Sequence, residues 1–169
     1  MIKRKIKDPG LFALTNNKHE EGYYHLFNRI RNILTIEGTI KLSLKSYTID
    51  FEMGLIKSLS KIFPNIKKVG CYFHYTRALR SKANKLKLLN SENKETTNSL
   101  LQHLYKAPFI FPKDKNYINA ICELFSKKYE YLNVFIGYYK SQWYKYFENG
   151  MLDYSIITKS QRSNSYIEN

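Results

Sequence analysis

Cysteine is nearly missing from this sequence: its 169 residues hold two, Cys71 and Cys122. That number is too small for a disulfide scaffold. No apolar run is long enough to span a bilayer. The first residues lack the apolar region of a secretory signal, because the basic start runs into Asp8-Pro9. The simplest expectation is a soluble protein of a reducing compartment, not secreted and without a membrane partner. Acidic side chains are also scarce, 14 against 28 Lys and Arg, which leaves a formal net charge of +14 and a pI near 9.6. Such an imbalance favours a polyanion, first of all the phosphates of nucleic acid, with a plain lysine-rich solvated surface as the alternative.

Hydrophobic residues make up 43% and aromatic residues 15% of the chain, including 15 Tyr and 10 Phe. This length and composition suit one domain, or one domain with an insertion, with a real core and rings to spare for stacking. A mostly disordered chain is excluded.

The organising stretch is Ser46 to His74, SYTIDFEMGLIKSLSKIFPNIKKVGCYFH. Tyr47-Thr48-Ile49 reads as a strand that stops on Asp50, and an amphipathic helix follows from Met53 to Phe63, burying Ile56, Leu59 and Phe63. Phe63-Pro64 breaks that helix. A second strand over Lys67 to Gly70 then ends at Cys71 and His74. Two consecutive strands would bring Asp50 and Cys-x-x-His to one sheet edge, where ligands collect in open α/β sheets. Spacing alone favours a plainer reading, with Asp50 as a surface helix cap, Cys71 buried and His74 in the core. Glu52 belongs to the first helical turn, where the dipole favours a negative side chain, so a capping role is expected of it.

Elsewhere, Ile2 to Lys7 is a basic run that suits a nuclear address, a DNA arm or a solvated terminus. Gly10 to Leu14 reads as a buried strand. From Glu20 to Leu34 the residues Tyr23, Leu26, Phe27, Ile30, Ile33 and Leu34 fall at helical spacing. A basic helix is expected from Phe73 to about Leu88, with Arg77, Arg80, Lys82 and Lys85 as candidate phosphate contacts or simply as a wet face. Asn90 to Asn98 marks a change of character. Beyond it helices are expected over Leu100 to Tyr105, Tyr117 to Phe135 and Gln142 to Phe147, with Ala107 to Pro112 as a linker.

Asp-Phe-Glu, an amphipathic helix, Phe-Pro and Gly-Cys-Tyr-Phe-His, in that order, resemble the core of the Mutator-like element (MULE) transposase domain. Arg162, Asn164, Glu168 and Asn169 resemble the signature around that family's third acid, with Ser165 departing from it. The resemblance implies an α/β fold: a partial RNase H-like core, a mixed sheet flanked by helices, with an all-α insertion. It divides the chain into 1–89 as partial core, 90–150 as helical insertion and 151–169 as the return segment. It implies Asp50 and Glu168 as catalytic, metal-binding acids for Mg²⁺ or Mn²⁺, with Cys71, His74, Arg162 and Asn164 beside the site. DNA is the implied partner and the nucleus the implied location, otherwise the cytoplasm, and homo-oligomerisation is left open.

A third acid should come from the family's first strand, and the chain reads as starting at the third. Asp8 precedes the wrong strand. The expectation is therefore a domain truncated at both ends, a transposase in ancestry with little activity alone. Cys71 and His74 lack a second Cys or His pair at a spacing that would complete a four-ligand structural zinc site. The competing readings are a non-catalytic basic module that binds nucleic acid or protein, and a helical interaction protein with no strand ending at Asp50.

Overall fold

Two four-residue strands frame the structure: β1, Ser46–Ile49, and β2, Lys67–Gly70. They pair in parallel, Ser46 opposite Lys67 and Ile49 opposite Gly70. The computed structural model describes residues 18–36, 45–90, 92–110 and 114–154. Helix α1, Glu20–Ile36, precedes β1, and α2, Met53–Ile62, joins the two strands. Helix α3, Tyr72–Lys85, follows β2, and then come α4, Lys94–Ile110, α5, Lys115–Lys128, and α6, Asn133–Glu148. The described residues are mostly helical, with this small parallel pair as their sheet. The expected mixed sheet is therefore represented by parallel strands alone, and the strand expected over Gly10 to Leu14 lies outside the described residues.

Helix α1 packs on α2 rather than lying directly over the strands. The approach is close enough that a Cβ on Gly54 would sit 2.8 Å from the Lys18 carbonyl, so glycine is what the crossing admits. Ser58 Oγ donates to the Glu20 carbonyl at 2.5 Å, and Lys61 Nζ meets the Glu20 carboxylate at 2.5 Å. Ser58, Leu59 and Ile62 are buried, whereas Ile56 and Phe63, expected inside, are only half-buried.

Helices α4 to α6 share one continuous core with the strands and α3. Tyr75, Leu79 and Ala83, one stripe of α3, meet Leu100, Leu104, Phe135, Tyr139 and Trp143 there. Four expectations change in this region. Ala107 to Ile110 is not a linker, because α4 runs through Pro108 to Ile110. Proline removes one helical N–H and crowds the carbonyl four residues back, Leu104. That carbonyl takes the Tyr75 hydroxyl instead, at 2.7 Å, and the next one, Tyr105, takes the Tyr72 hydroxyl at 3.2 Å. The Pro108 carbonyl in turn accepts from Tyr154 N at 2.9 Å.

The single helix expected over Tyr117 to Phe135 is two. Helix α5 stops at Tyr129, a 3₁₀ turn covers Glu130–Leu132, and α6 begins at Asn133. Ser126 Oγ donates to Asn133 Oδ1 at 2.5 Å and clips the corner. The short helix expected over Gln142 to Phe147 is the second half of α6, and the stretch after Asn90, expected as a change of character, is already helical from Lys94.

Candidate functional site

Asp50 stands immediately after β1 and Cys71 immediately after β2. The pairing of Ile49 with Gly70, extended by the Cys71 N–H to the Ile49 carbonyl at 2.8 Å, holds the two strand ends side by side. Cys71 is the N-cap residue of α3, so His74 lies one turn in, on the helix end that faces Asp50. His74 Nδ1 is 3.0 Å from Asp50 Oδ1, and both atoms are shut off from solvent. The rest of the pair is open, with the His74 side chain 27% and the Asp50 side chain 41% exposed. Cys71 is fully buried. One donor atom from each of Asp50, Cys71 and His74 lies within 4.8 Å of the other two.

The site is walled by rings. Phe51 packs edge-on to Trp143, centroids 4.8 Å apart, and against Tyr146 at 5.0 Å, so α6 buttresses the end of β1. On the α1 side Tyr23 donates its hydroxyl to Glu52 Oε2 at 3.2 Å. Burial raises the Tyr23 phenol above its ordinary range, and the charges of Glu52 and Asp50 add to the shift. Glu52 is the N-cap residue of α2 rather than part of its first turn, and its side chain makes no capping bond. Its carboxylate is engaged by Tyr23 instead, which corrects the expected capping role.

Along α3, a rotation of 100° per residue puts His74, Arg77, Ser81 and Lys85 on one face. Arg77, Ser81 and Lys85 are exposed, and the stripe leads away from Asp50 for roughly 16 Å at 1.5 Å per residue. Arg80 and Lys82 flank it and have protein partners as well. Arg80 hydrogen-bonds Tyr105, and Lys82 Nζ lies 4.9 Å from the centre of the Tyr138 ring.

Asp50, Cys71 and His74 are thus brought together. Arg162, Asn164 and Glu168 lie outside the described residues, as do Asp8 and the basic run at the start. Sequence reasoning missed the strap formed by Met151 and Tyr154. Gly70 N donates to the Met151 carbonyl at 2.8 Å, and the Tyr154 hydroxyl donates to the Gly70 carbonyl. It also missed the Tyr23–Glu52 bond. Tyr23 sat in the apolar stripe of its helix, and nothing local marked its hydroxyl as directed at another element.

No curated protein and no solved structure matches the chain. One family model does, over a segment that contains β1, β2, Asp50, Cys71, His74 and Arg77 and stops short of Arg80. Residues 9–78 match the model of the MULE transposase domain, so this segment is similar to that domain.

Proposed function

We propose that the chain is part of a MULE-type DDE transposase, an RNase H-like polynucleotidyl transferase acting on DNA. The observation that carries this reading is the position of Asp50: it ends a parallel strand beside the next strand's Cys-x-x-His, inside the matched segment. The proposed division keeps 1–89 as the core, 90–150 as the α-helical insertion and 151–169 as the return. In its support, every described element after Lys94 is helical, and the chain comes back to β2 at Met151. This reading sets the protein to work in the nucleus.

Asp50 fits a hard divalent ion. Mg²⁺ is ordinarily held by one or two carboxylates with waters and substrate phosphates completing its shell, and Asp50 is a partly open carboxylate at a strand end. Asp50 and Glu168 would hold Mg²⁺ or Mn²⁺, which when bound activates the attacking hydroxyl and stabilises the leaving oxygen. His74 opposes one oxygen of Asp50 and restricts how the carboxylate can turn. Phe51, clamped by Trp143 and Tyr146, fixes the backbone beneath it. Arg77 and Lys85 continue from His74 as a basic track for a phosphate backbone, and Arg162 and Asn164 belong beside Glu168. Residues 1–169 supply two of the three acids in this reading, so by themselves they bind DNA with little turnover.

The test is DNA binding over a range of salt, together with a nicking and strand-transfer assay in Mg²⁺ or Mn²⁺. Salt-dependent binding with little turnover is expected. Turnover that is lost in Asp50→Ala would refute the inactivity while keeping the transposase reading. Absence of DNA binding would overturn the reading itself. The exposed basic face of α3 also supports a non-catalytic nucleic-acid-binding module. Binding that ignores both divalent metal and Asp50→Ala would favour that module.

A further inference from the structure

The trio at the strand ends has a donor set unlike that of a Mg²⁺ site: one carboxylate oxygen, one imidazole nitrogen and one sulfur. Sulfur and imidazole suit borderline and soft ions, whereas Mg²⁺ takes oxygen. The backbone assembles the set before any ion arrives. Strand pairing brings residues 50 and 71 together, and the first turn of α3 brings 71 and 74 together. We propose that Asp50, Cys71 and His74 ligate one transition-metal ion of the zinc class, with a fourth position open to water or to an incoming oxygen ligand.

Two ligands each about 2.0–2.2 Å from one ion stand roughly 3.0–3.5 Å apart, and Asp50 Oδ1 and His74 Nδ1 are 3.0 Å apart. Closing the full trio requires separations of at most 4.8 Å to contract to about 3.5 Å, a shift of roughly an ångström. Asp50 Oδ1 and His74 Nδ1 are shut off from solvent but the rest of both side chains is partly exposed, so an ion enters by displacing these two surface-reaching side chains, and a fourth ligand follows the same way. Three protein ligands and one open position are the pattern of zinc sites that act on substrates, and closed four-ligand sites are the structural ones. Cys122 takes no part. It is buried in α5, where desolvation raises its thiol, with the Tyr144 hydroxyl as its hydrogen-bond partner.

This site goes beyond the proposed transposase activity: the two share Asp50 as a ligand, and Cys71 and His74, which only flank the acid in that reading, become ligands here. Its test reads metal rather than DNA, so either can fail alone. The whole 169-residue chain, purified free of metal, is titrated with Co²⁺ and then with Zn²⁺. One equivalent of Co²⁺ with a sulfur-to-cobalt charge-transfer band, displaced by Zn²⁺ and untouched by excess Mg²⁺, is expected. The band should survive Cys122→Ala and vanish in Cys71→Ser. Asp50→Asn and His74→Ala, at partly exposed positions, should each weaken Co²⁺ binding at least tenfold, and they keep the site testable if the Cys71 variant does not fold. Co²⁺ bound without the band, no stoichiometric binding, or unchanged affinity in both Asp50→Asn and His74→Ala would overturn the proposal, leaving Cys71 a buried apolar residue.

Discussion

Gly70 and Met151 are joined through the backbone, the Gly70 N–H donating to the Met151 carbonyl at 2.8 Å. With the Tyr154 hydroxyl on the Gly70 carbonyl, both polar groups of the last β2 residue are satisfied by the chain that leaves α6. The edge of β2 next to the candidate site is therefore covered by residues 151–154. A side chain at position 70 has no room, because a Cβ there would lie 2.5 Å from the Phe51 ring. That ring packs against both Trp143 and Tyr146, so moving it disturbs those two contacts.

Gly70→Ala should accordingly destabilise the fold by about 1–3 kcal/mol, the usual cost of overpacking a filled site. Chemical denaturation measures it directly. Stability equal to wild type would mean that Phe51 is free to move, and with it the backbone under Asp50.

Tyr75→Phe should cost about 1–3 kcal/mol, more than Tyr139→Phe. The Tyr75 hydroxyl donates to the Leu104 carbonyl at 2.7 Å and lies 3.1 Å from the Tyr139 hydroxyl. Removing it strands two buried groups, one of them the carbonyl that Pro108 leaves without a helical donor. Removing the Tyr139 hydroxyl takes one partner from Tyr75 and leaves its bond to Leu104 intact. Equal losses in paired denaturation curves would contradict this account of the proline.

Both strands, the helix between them and the basic helix after them were legible in the sequence because each carries its own punctuation. Asp50 stops one strand, Phe63-Pro64 stops a helix, and Gly70-Cys71 ends the second strand. The later helices were not, for reasons of tertiary origin. Pro108 is an ordinary helix breaker until Tyr75 and Tyr72 arrive from another element to take up the carbonyls. The corner at Tyr129 has neither glycine nor proline, and Ile118, Cys122, Phe125, Leu132 and Ile136 stay in helical step across it, so periodicity could not show the break. At the site, strand order alone put Asp50 near Cys71 and His74. The Tyr23 hydroxyl on Glu52 depends on how α1 crosses α2, which no local pattern encodes.

Stability should fall as the pH rises above about 10. Burial pushes the Tyr47 phenol up to about 12 and holds Tyr75 well above its ordinary value, with Tyr139 also raised by burial. In the unfolded chain these phenols ionise near 10, so above that pH the unfolded state sheds protons that the folded state retains. The stabilisation is complete below about pH 10 and is lost progressively above it, through about 12 for Tyr47, while Tyr75 stays protonated still higher. Denaturation midpoints measured across that window should drop, and Tyr47→Phe should drop less steeply than wild type. A midpoint flat through pH 11 would show that the rings are less buried than described.

The α3 stripe makes a prediction about DNA that separates its residues from one another. Arg77 and Lys85 share the exposed face of His74, whereas the Lys82 ammonium already lies over the Tyr138 ring and Arg80 bonds Tyr105. If phosphates run along that face, Arg77→Ala and Lys85→Ala should each lower the slope of log affinity against log salt by about 0.9, one counterion released per lost contact. Lys82→Ala should change it less, because its charge is turned toward a ring rather than along the track. All three positions lie at least partly at the surface, so thermal unfolding of each variant should stay near wild type and exclude misfolding as the cause. A slope that responds equally to every lysine and arginine replaced would instead mark diffuse attraction to a chain of net charge +14. In that case α3 would have no privileged alignment with the backbone that Asp50 is proposed to act upon.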